Sequence, residues 1–216
     1  MNPASVRITE IFYSLQGEST TVGLPTVFVR LTGCPLRCHY CDTEYAFYGG
    51  ERRSIEQILE EVSTFKISRV CVTGGEPLAQ KSCLPLLAAL CDKGYQVSLE
   101  TAGALSIAEV DTRVTKVMDL KPPASGEVNR NLYENIAYLK PSDQIKFVIC
   151  NRQDYEWARM KLDEFSLPGC VTDILFSPSF GQQDATELAE WVLNDRLPVR
   201  FQLQLHKLLW KDAPGH

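Results

Sequence analysis

Two periods of apolar spacing interleave along this chain, and their alternation predicts its architecture. "TVFVRLT" (26–32) is dense in β-branched and aromatic residues and predicts a strand. "SIEQILEEVSTF" (54–65) repeats its apolar positions at helical intervals and opens on a capping box of Ser54 and Gln57, so it predicts a helix. "RVCVT" (69–73) reads as a short apolar strand, followed by a helical run that ends near Lys93 with Gly94 as its stop signal. "YQVSLE", "VTKVMDL", "QIKFVI", "TDILFS" and "RFQLQL" continue the strands, with "RQDYEWARMKLDEF" and "DATELAEWVLNDR" as helices between the later ones. The region 102–113 is short and mixed and is expected to hold at most a marginal helix.

Strands alternating with helices form βα units on a parallel sheet, either open or curled into a partial or whole barrel. No repeat, low-complexity tract or Gly/Ser/Pro-rich linker divides the chain, so residues 1–216 are expected to form one domain. The polar motifs share one place in the alternation. Cys34 follows the strand 26–32, "TGGEP" (73–77) follows 69–73, "ETAG" (100–103) closes 95–100, "DLKPP" (119–123) closes 114–119, and "SPSFGQ" (177–182) follows 172–176. All lie at carboxyl ends of strands, and parallel strands bring those ends to one rim, where α/β proteins build their sites. Turn chemistry accounts for Gly and Pro there but not for Cys, Glu and Lys.

Charge narrows the classes of function. A net charge of −5 over 216 residues argues against a broad basic surface for nucleic acid, although a local basic pocket stays possible. No stretch has the roughly 18 to 20 apolar residues of a membrane-spanning helix, and "MNPASVRITEIFYS" lacks the order of a signal peptide. The expectation is a cytoplasmic protein that touches neither membrane nor nucleic acid directly.

Eight cysteines in such a chain must be sorted, because structural disulfides are rare in reducing compartments. Cys71, Cys83, Cys91, Cys150 and Cys170 are scattered and read as small apolar residues. Cys34, Cys38 and Cys41 are concentrated in "GCPLRCHYC". A closed zinc site wants four N or S ligands, and here a second cysteine pair is missing; His39 lies between two cysteines, where reaching the same ion is difficult. A 4Fe-4S cluster held by three thiolates leaves one iron open to a small-molecule chelate.

The C-x3-C-x2-C spacing, with Tyr40 before the last cysteine, resembles the radical S-adenosylmethionine (SAM) enzymes, and "TGGEP" one βα unit later resembles their glycine-rich motif. Within that superfamily the flanking residues are similar to the 7-carboxy-7-deazaguanine synthase family. "EIFYSLQGES" (10–19), "CDT" (41–43), "ETAG" (100–103) and "QLQLHKLLW" (202–210) carry the likeness, with Ser19 standing where that family usually has Gly.

The resemblance implies an incomplete (β/α)6-type partial barrel with an N-terminal extension. It implies a 4Fe-4S cluster on Cys34, Cys38 and Cys41, and SAM against Tyr40, Cys41, Asp42, Gly74, Gly75, Glu76, Gly103, Asp119, Leu120, Lys121 and Ser177. Mg²⁺ is expected on Thr43, and the substrate on Leu15, Gln16, Gly17, Arg30, Thr101 and Pro214, with His206 and Lys207 as further pocket candidates. The implied reaction converts 6-carboxy-5,6,7,8-tetrahydropterin to 7-carboxy-7-deazaguanine with loss of ammonia, in queuosine and deazapurine biosynthesis. The cofactors carry the chemistry and no side chain is assigned as catalytic. A flavodoxin or ferredoxin is the implied reductant, and a homodimer is expected because an incomplete barrel leaves an edge. Two rivals stay open: a radical SAM activase acting on a partner polypeptide, which would not need Gln16, Arg30 and Thr43, and a zinc-binding interaction module.

Overall fold

The computed structural model describes residues 4–211, 213 and 215. Among the described residues nine strands form one sheet. Strand β1 (Ser5–Leu15) turns back into β2 (Pro25–Leu31), and β3 (Glu51–Ser54) pairs antiparallel with the outer side of β1. From β2 the sheet continues in parallel through β4 (Arg69–Gly74), β5 (Gln96–Thr101), β6 (Thr115–Asp119), β7 (Gln144–Ile149), β8 (Asp173–Pro178) and β9 (Arg200–Phe201). The order β3-β1-β2-β4-β5-β6-β7-β8-β9 leaves β3 and β9 as unpaired edges, as an incomplete barrel requires.

Helices cover the sheet through the stripes that the sequence marks. Helix α1 (Ile55–Thr64) buries Ile55, Ile58 and Val62, and its predicted capping box is formed, with Ser54 accepting from Gln57 N–H and the Gln57 side chain accepting from Ser54 N–H. Helix α2 (Cys83–Asp92) buries Leu86, Leu87 and Leu90 and stops before Gly94, whose φ of 82° no β-branched residue would tolerate. Helices α3 (Arg152–Glu164) and α4 (Ala185–Asn194) are capped by Asn151 and Asp184.

Three local expectations need correction. The marginal helix at 102–113 is absent; β5 crosses to β6 through turns, and the segment 123–138 carries 3₁₀ turns instead. "RFQLQL" pairs only over Arg200–Phe201, because Gln202 turns inward and clamps the backbone of Ser19 from both sides. The chain then forms a short helix, α5 (Leu205–Trp210), which the sequence reading did not anticipate. The N-terminal extension is itself a long strand, which its alternating pattern allowed.

The connection from β1 to β2 folds inward and is buried at Gln16, Gly17, Glu18 and Ser19. It is held in place from distant parts of the chain. Gln144 accepts from Thr20 N–H and donates to Thr20 Oγ1, Lys146 forms an ion pair with Glu18, and Gln204 donates to Glu18 Oε1 at 2.7 Å. Ser19 itself is left-handed, with φ 68°, and its Oγ is 2.8 Å from Thr21 Oγ1. This is the position where Gly is usual in the family that the sequence resembles, and the backbone explains the preference.

The magnitudes at Ser19 nearly cancel. A left-handed non-glycine residue costs about 1–2 kcal/mol, while glycine loses about 0.4–1 kcal/mol through the unfolded chain and would forfeit a hydroxyl bond worth about 1 kcal/mol. Ser19→Gly is therefore expected to shift urea-unfolding stability by less than about 1 kcal/mol, and Ser19→Val, which has neither the freedom nor the hydroxyl, to lose about 2 kcal/mol or more.

The Glu18–Lys146 pair sets an acid limit. Burial alone would raise the Glu18 carboxyl, but the charge and hydrogen bond of Lys146 outweigh it and hold it below its ordinary value of 4.5. The stabilisation is therefore full above pH 4.5 and is lost as pH falls through the depressed value. Lys146→Met should cost about 3–5 kcal/mol at neutral pH by stranding the carboxylate. The double variant Glu18→Gln/Lys146→Met should recover part of that loss and show a flatter thermal stability profile on acidification.

Candidate active site

One cavity opens at the carboxyl ends of the parallel strands, and its wall collects most of the residues singled out from the sequence. Cys34, Cys38, Cys41, Tyr40, Asp42, Thr43, Gly74, Gly75, Asp119 and Lys121 line it, with Leu15, Gln16, Gly17, Arg30 and Thr101. Glu76, Gly103, Leu120 and Ser177 lie behind that wall, and Pro214 is outside the described residues.

The three cysteines sit in the loop after β2, and all three thiols are free. A turn closes with Cys41 N–H donating to Cys38 O at 3.1 Å. Burial pushes every thiol up, Cys38 to about 11, although the Lys121 cation opposes the rise. The loop is fixed by its neighbours. Arg37 donates to the carbonyls of Cys34 and Leu36 and lies 4.2 Å over the Phe47 ring, while Glu127 accepts from Arg37 N–H at 2.6 Å. His39, weighed as a zinc ligand, instead lies against Gly126 with Nδ1 3.2 Å from the Ala124 carbonyl.

Among the described residues no group of three or more His, Cys, Asp or Glu side chains is gathered as a single ion would need. In an iron–sulfur cluster each thiolate meets a different iron, so three thiols need only line one cavity, as these do.

The "TGGEP" segment packs directly on this loop. A Cβ at Gly75 would stand 2.4 Å from Gly33 O and 2.7 Å from Cys34 Cβ, and one at Gly74 would stand 2.3 Å from Leu31 O. The glycines are therefore required by the contact between two backbones as well as by any ligand. Glu76 is fully buried and does not face the cavity. Its carboxylate accepts from Thr101 Oγ1 at 3.0 and 2.9 Å, from Ala102 N–H at 2.6 Å and from Leu78 N–H at 3.0 Å.

The next wall is polar and incompletely matched. Asp119 pairs with Lys121 through Oδ2 at 2.8 Å, but its Oδ1 is buried without a partner, as are Tyr40 Oη and Ser177 Oγ. Buried unpaired polar atoms are costly in a folded protein. Two of them, on Tyr40 and Asp119, belong to residues of the cavity wall that also holds the thiols, and they fit a polar ligand such as SAM.

Elsewhere on the lining, Phe12 and Phe28 stack at 4.9 Å and form a flat apolar wall. Arg30 lies 5.5 Å from the Phe12 centroid and pairs through Nε with Glu10 at 2.7 Å, yet it still borders the cavity. Thr43 Oγ1 donates to Asp42 Oδ1 at 2.7 Å, which leaves its oxygen lone pairs available to a cation. Burial opposes the charged form of Asp42, but His206, Thr43 and Lys207 together hold its carboxyl well below the usual range. His206 packs on Gly17 so closely that a Cβ there would lie 2.0 Å from Nδ1, and Leu205 N–H donates to Gly17 O.

Sequence reasoning did not single out Phe12, Phe28, Glu18, Glu100, Lys146 or Val148, all of which line the cavity. A signal for one was present: Lys146 interrupts the apolar "QIKFVI" on the same alternate face as Gln144 and Val148. Of the five scattered cysteines, Cys71 and Cys83 are buried as expected, while Cys91, Cys150 and Cys170 are half-buried.

Comparison with known proteins agrees with this geometry. The sequence profile of the Radical SAM superfamily matches residues 28–116. The 7-carboxy-7-deazaguanine synthase of Chlorobaculum tepidum is 46% identical, covering 98% of each chain, and that of Koribacter versatilis is 44% identical, covering 95% of this chain and 97% of its own. The crystal structure of QueE from Escherichia coli superposes with a TM-score of 0.74 over 94% of this chain and 95% of its own, at 24% identity, which speaks to the fold. With cysteine loop, glycine contact and barrel rim matched along almost its whole length, this chain belongs to the 7-carboxy-7-deazaguanine synthase family of radical SAM enzymes.

Proposed function

We propose that this enzyme converts 6-carboxy-5,6,7,8-tetrahydropterin to 7-carboxy-7-deazaguanine with loss of ammonia, as a lyase step toward queuosine and other 7-deazapurines. The observation that carries the reading is a single cavity whose wall holds three free thiols together with a guanidinium beside a flat aromatic face.

Bound at Cys34, Cys38 and Cys41, a 4Fe-4S cluster and its SAM supply one-electron cleavage and hydrogen-atom abstraction. The protein's share is binding, orientation and exclusion of water. The backbone at Gly74 and Gly75, with Tyr40, Asp42 and the free Oδ1 of Asp119, borders the SAM end, and Lys121 places a cation there for a carboxylate. Glu76 and Gly103 act from behind, Glu76 by holding Thr101 and Ala102 in place.

Arg30 presents its remaining guanidinium nitrogens to the pterin carboxylate, a charge-assisted contact worth about 1.5–3 kcal/mol. Thr43 offers Mg²⁺ one hard oxygen, with substrate and water oxygens completing its shell. Leu15, Gln16 and Gly17 form the floor under the ring. The electron comes from an external flavodoxin or ferredoxin in the cytoplasm. Residues 1–216 act as one catalytic domain, and two copies associate: β9 is an open edge, and Leu208 and Leu209 of α5 after it are 56% and 52% exposed. No described helix is long and apolar enough to cross a membrane. A radical SAM activase of a partner polypeptide is not favoured by these neighbours.

Anaerobic reconstitution with iron and sulfide, then SAM, dithionite and 6-carboxytetrahydropterin, tests the reading through formation of the deazaguanine acid. Each of Cys34→Ala, Cys38→Ala and Cys41→Ala should abolish SAM cleavage; full cleavage with a normal cluster spectrum in any one would move the cluster elsewhere. Gly75→Ala should lower iron and sulfide content, because its methyl group enters the space of Gly33 and Cys34.

Arg30→Ala is expected to reduce kcat/KM for the pterin by about 30-fold to several thousand-fold, corresponding to roughly 2–5 kcal/mol for a desolvated carboxylate left short of its partner. Thr43→Ala should lower activity in a way that added Mg²⁺ partly restores. Turnover against Mg²⁺ concentration, with SAM binding measured separately, reads both; an unchanged Mg²⁺ dependence in Thr43→Ala would place the metal at another site.

A further inference from the structure

Four carboxylates line the cavity: Glu18, Asp42, Glu100 and Asp119. Three of them face a cation directly, Glu18 with Lys146, Asp42 with Lys207 at 3.5 Å and Asp119 with Lys121 at 2.8 Å. Glu100 differs. It is half-buried near the end of β5 and, among the described residues, forms no ion pair; it accepts instead from neutral groups, Thr73 Oγ1 at 2.9 Å on Oε2 and Gln16 Nε2 at 3.4 Å on Oε1, and has the Cys71 thiol beside it. A carboxylate has about four acceptor positions, so Glu100 keeps unused acceptor capacity at the cavity wall, with the charges of Arg30 and Lys146 acting on it without a direct ion pair.

Its place in the sheet is as specific as its chemistry. Arg30 of β2 registers with Thr73 of β4, and the Thr73 hydroxyl bonds to Glu100 of β5. The three side chains thus step across adjacent strands, with Arg30 and Glu100 two strand spacings apart, about 10 Å along the sheet. A ligand held by its carboxylate at Arg30 and lying over Thr73 would bring its far edge to Glu100.

We infer that Glu100 is a specificity-determining residue that recognises a pair of adjacent N–H donors on the substrate ring, the amide N–H and exocyclic amino group of a 2-amino-4-oxopyrimidine. A carboxylate accepts two parallel N–H bonds from such an edge, and Thr73 and Gln16 fix its rotamer. The inference rests on the proposed pterin substrate and deepens it, since it assigns discrimination at the 2-position to one side chain. A ring bearing oxygen in place of the 2-amino group would set an acceptor against an acceptor.

The test compares wild type with Glu100→Gln for 6-carboxytetrahydropterin and for its analogue carrying oxygen at position 2. Binding is measured by calorimetry on the SAM-loaded, unreduced enzyme, and kcat/KM on the reduced one. Wild type should prefer the amino compound. Glu100→Gln should weaken its binding by about 10- to 100-fold, as expected for loss of a hydrogen bond to a charged group, and should reduce the preference over the oxo compound, while SAM affinity and cluster spectrum stay at wild-type values.

If Glu100→Gln does not load cluster and SAM, Glu100→Asp replaces it. Keeping the charge but withdrawing it by one methylene, that variant should weaken pterin binding without reversing the preference. An unchanged preference in Glu100→Gln, or pterin affinity equal to wild type in whichever variant loads, overturns the assignment and leaves the proposed function intact. A wild-type enzyme that neither binds nor converts the pterin overturns the function and this assignment together.

Discussion

A buried carboxylate holds the rim together. Glu76 is wholly inside the protein, where burial raises its pKa, and hydrogen bonds from Leu78, Thr101 and Ala102 oppose that rise. It joins the turn after β4 to the turn after β5. The same β4 turn carries Gly74 and Gly75, which press without side chains on Leu31, Gly33 and Cys34 after β2. Three consecutive strand ends are thereby fixed relative to one another, and the thiols inherit their position from that arrangement. Replacing either an acceptor or a glycine here changes the relation between loops rather than a single contact, since a donor stranded in the interior costs about 1–3 kcal/mol.

The cavity is electrostatically graded. Its thiol end has Lys121 and Arg37 near neutral, burial-raised sulfurs, so iron loading must displace protons. Elsewhere its lining alternates Arg30, Glu100 and Lys146 around aromatic faces. Such alternation keeps the interior near charge balance while leaving directional groups that a flat, polar substrate can match.

Much of this was legible in the chain because the relevant signals are local. Period-2 and period-3.6 spacing located seven strands of the parallel run and four of the five helices, and the shared position of the motifs after those strands gathered most of the site on one rim. Residues escaped when their role depends on distant partners. Gln202 and Gln204 read as part of a strand, yet the buried backbone of Ser19 and the carboxylate of Glu18 draw them inward. Glu100 looked like the polar end of a strand, and only the register with Thr73 and Arg30 shows what surrounds it. Glu76 was read as a cofactor contact from its place in the glycine-rich motif, and its bonds to Leu78, Thr101 and Ala102 could not be read from the motif.

The floor of the cavity is completed by its most distant sequence neighbours. Glu18 meets Gln204 across 186 positions and Ser19 meets Gln202 across 183, while His206 rests on Gly17. During synthesis the cysteine loop and the glycine turn emerge early, but the pocket beneath them stays open to water until residues beyond 200 have left the ribosome and closed a loop of nearly the full chain length. Assembly order therefore separates the emergence of the cysteine loop from the completion of the cavity floor.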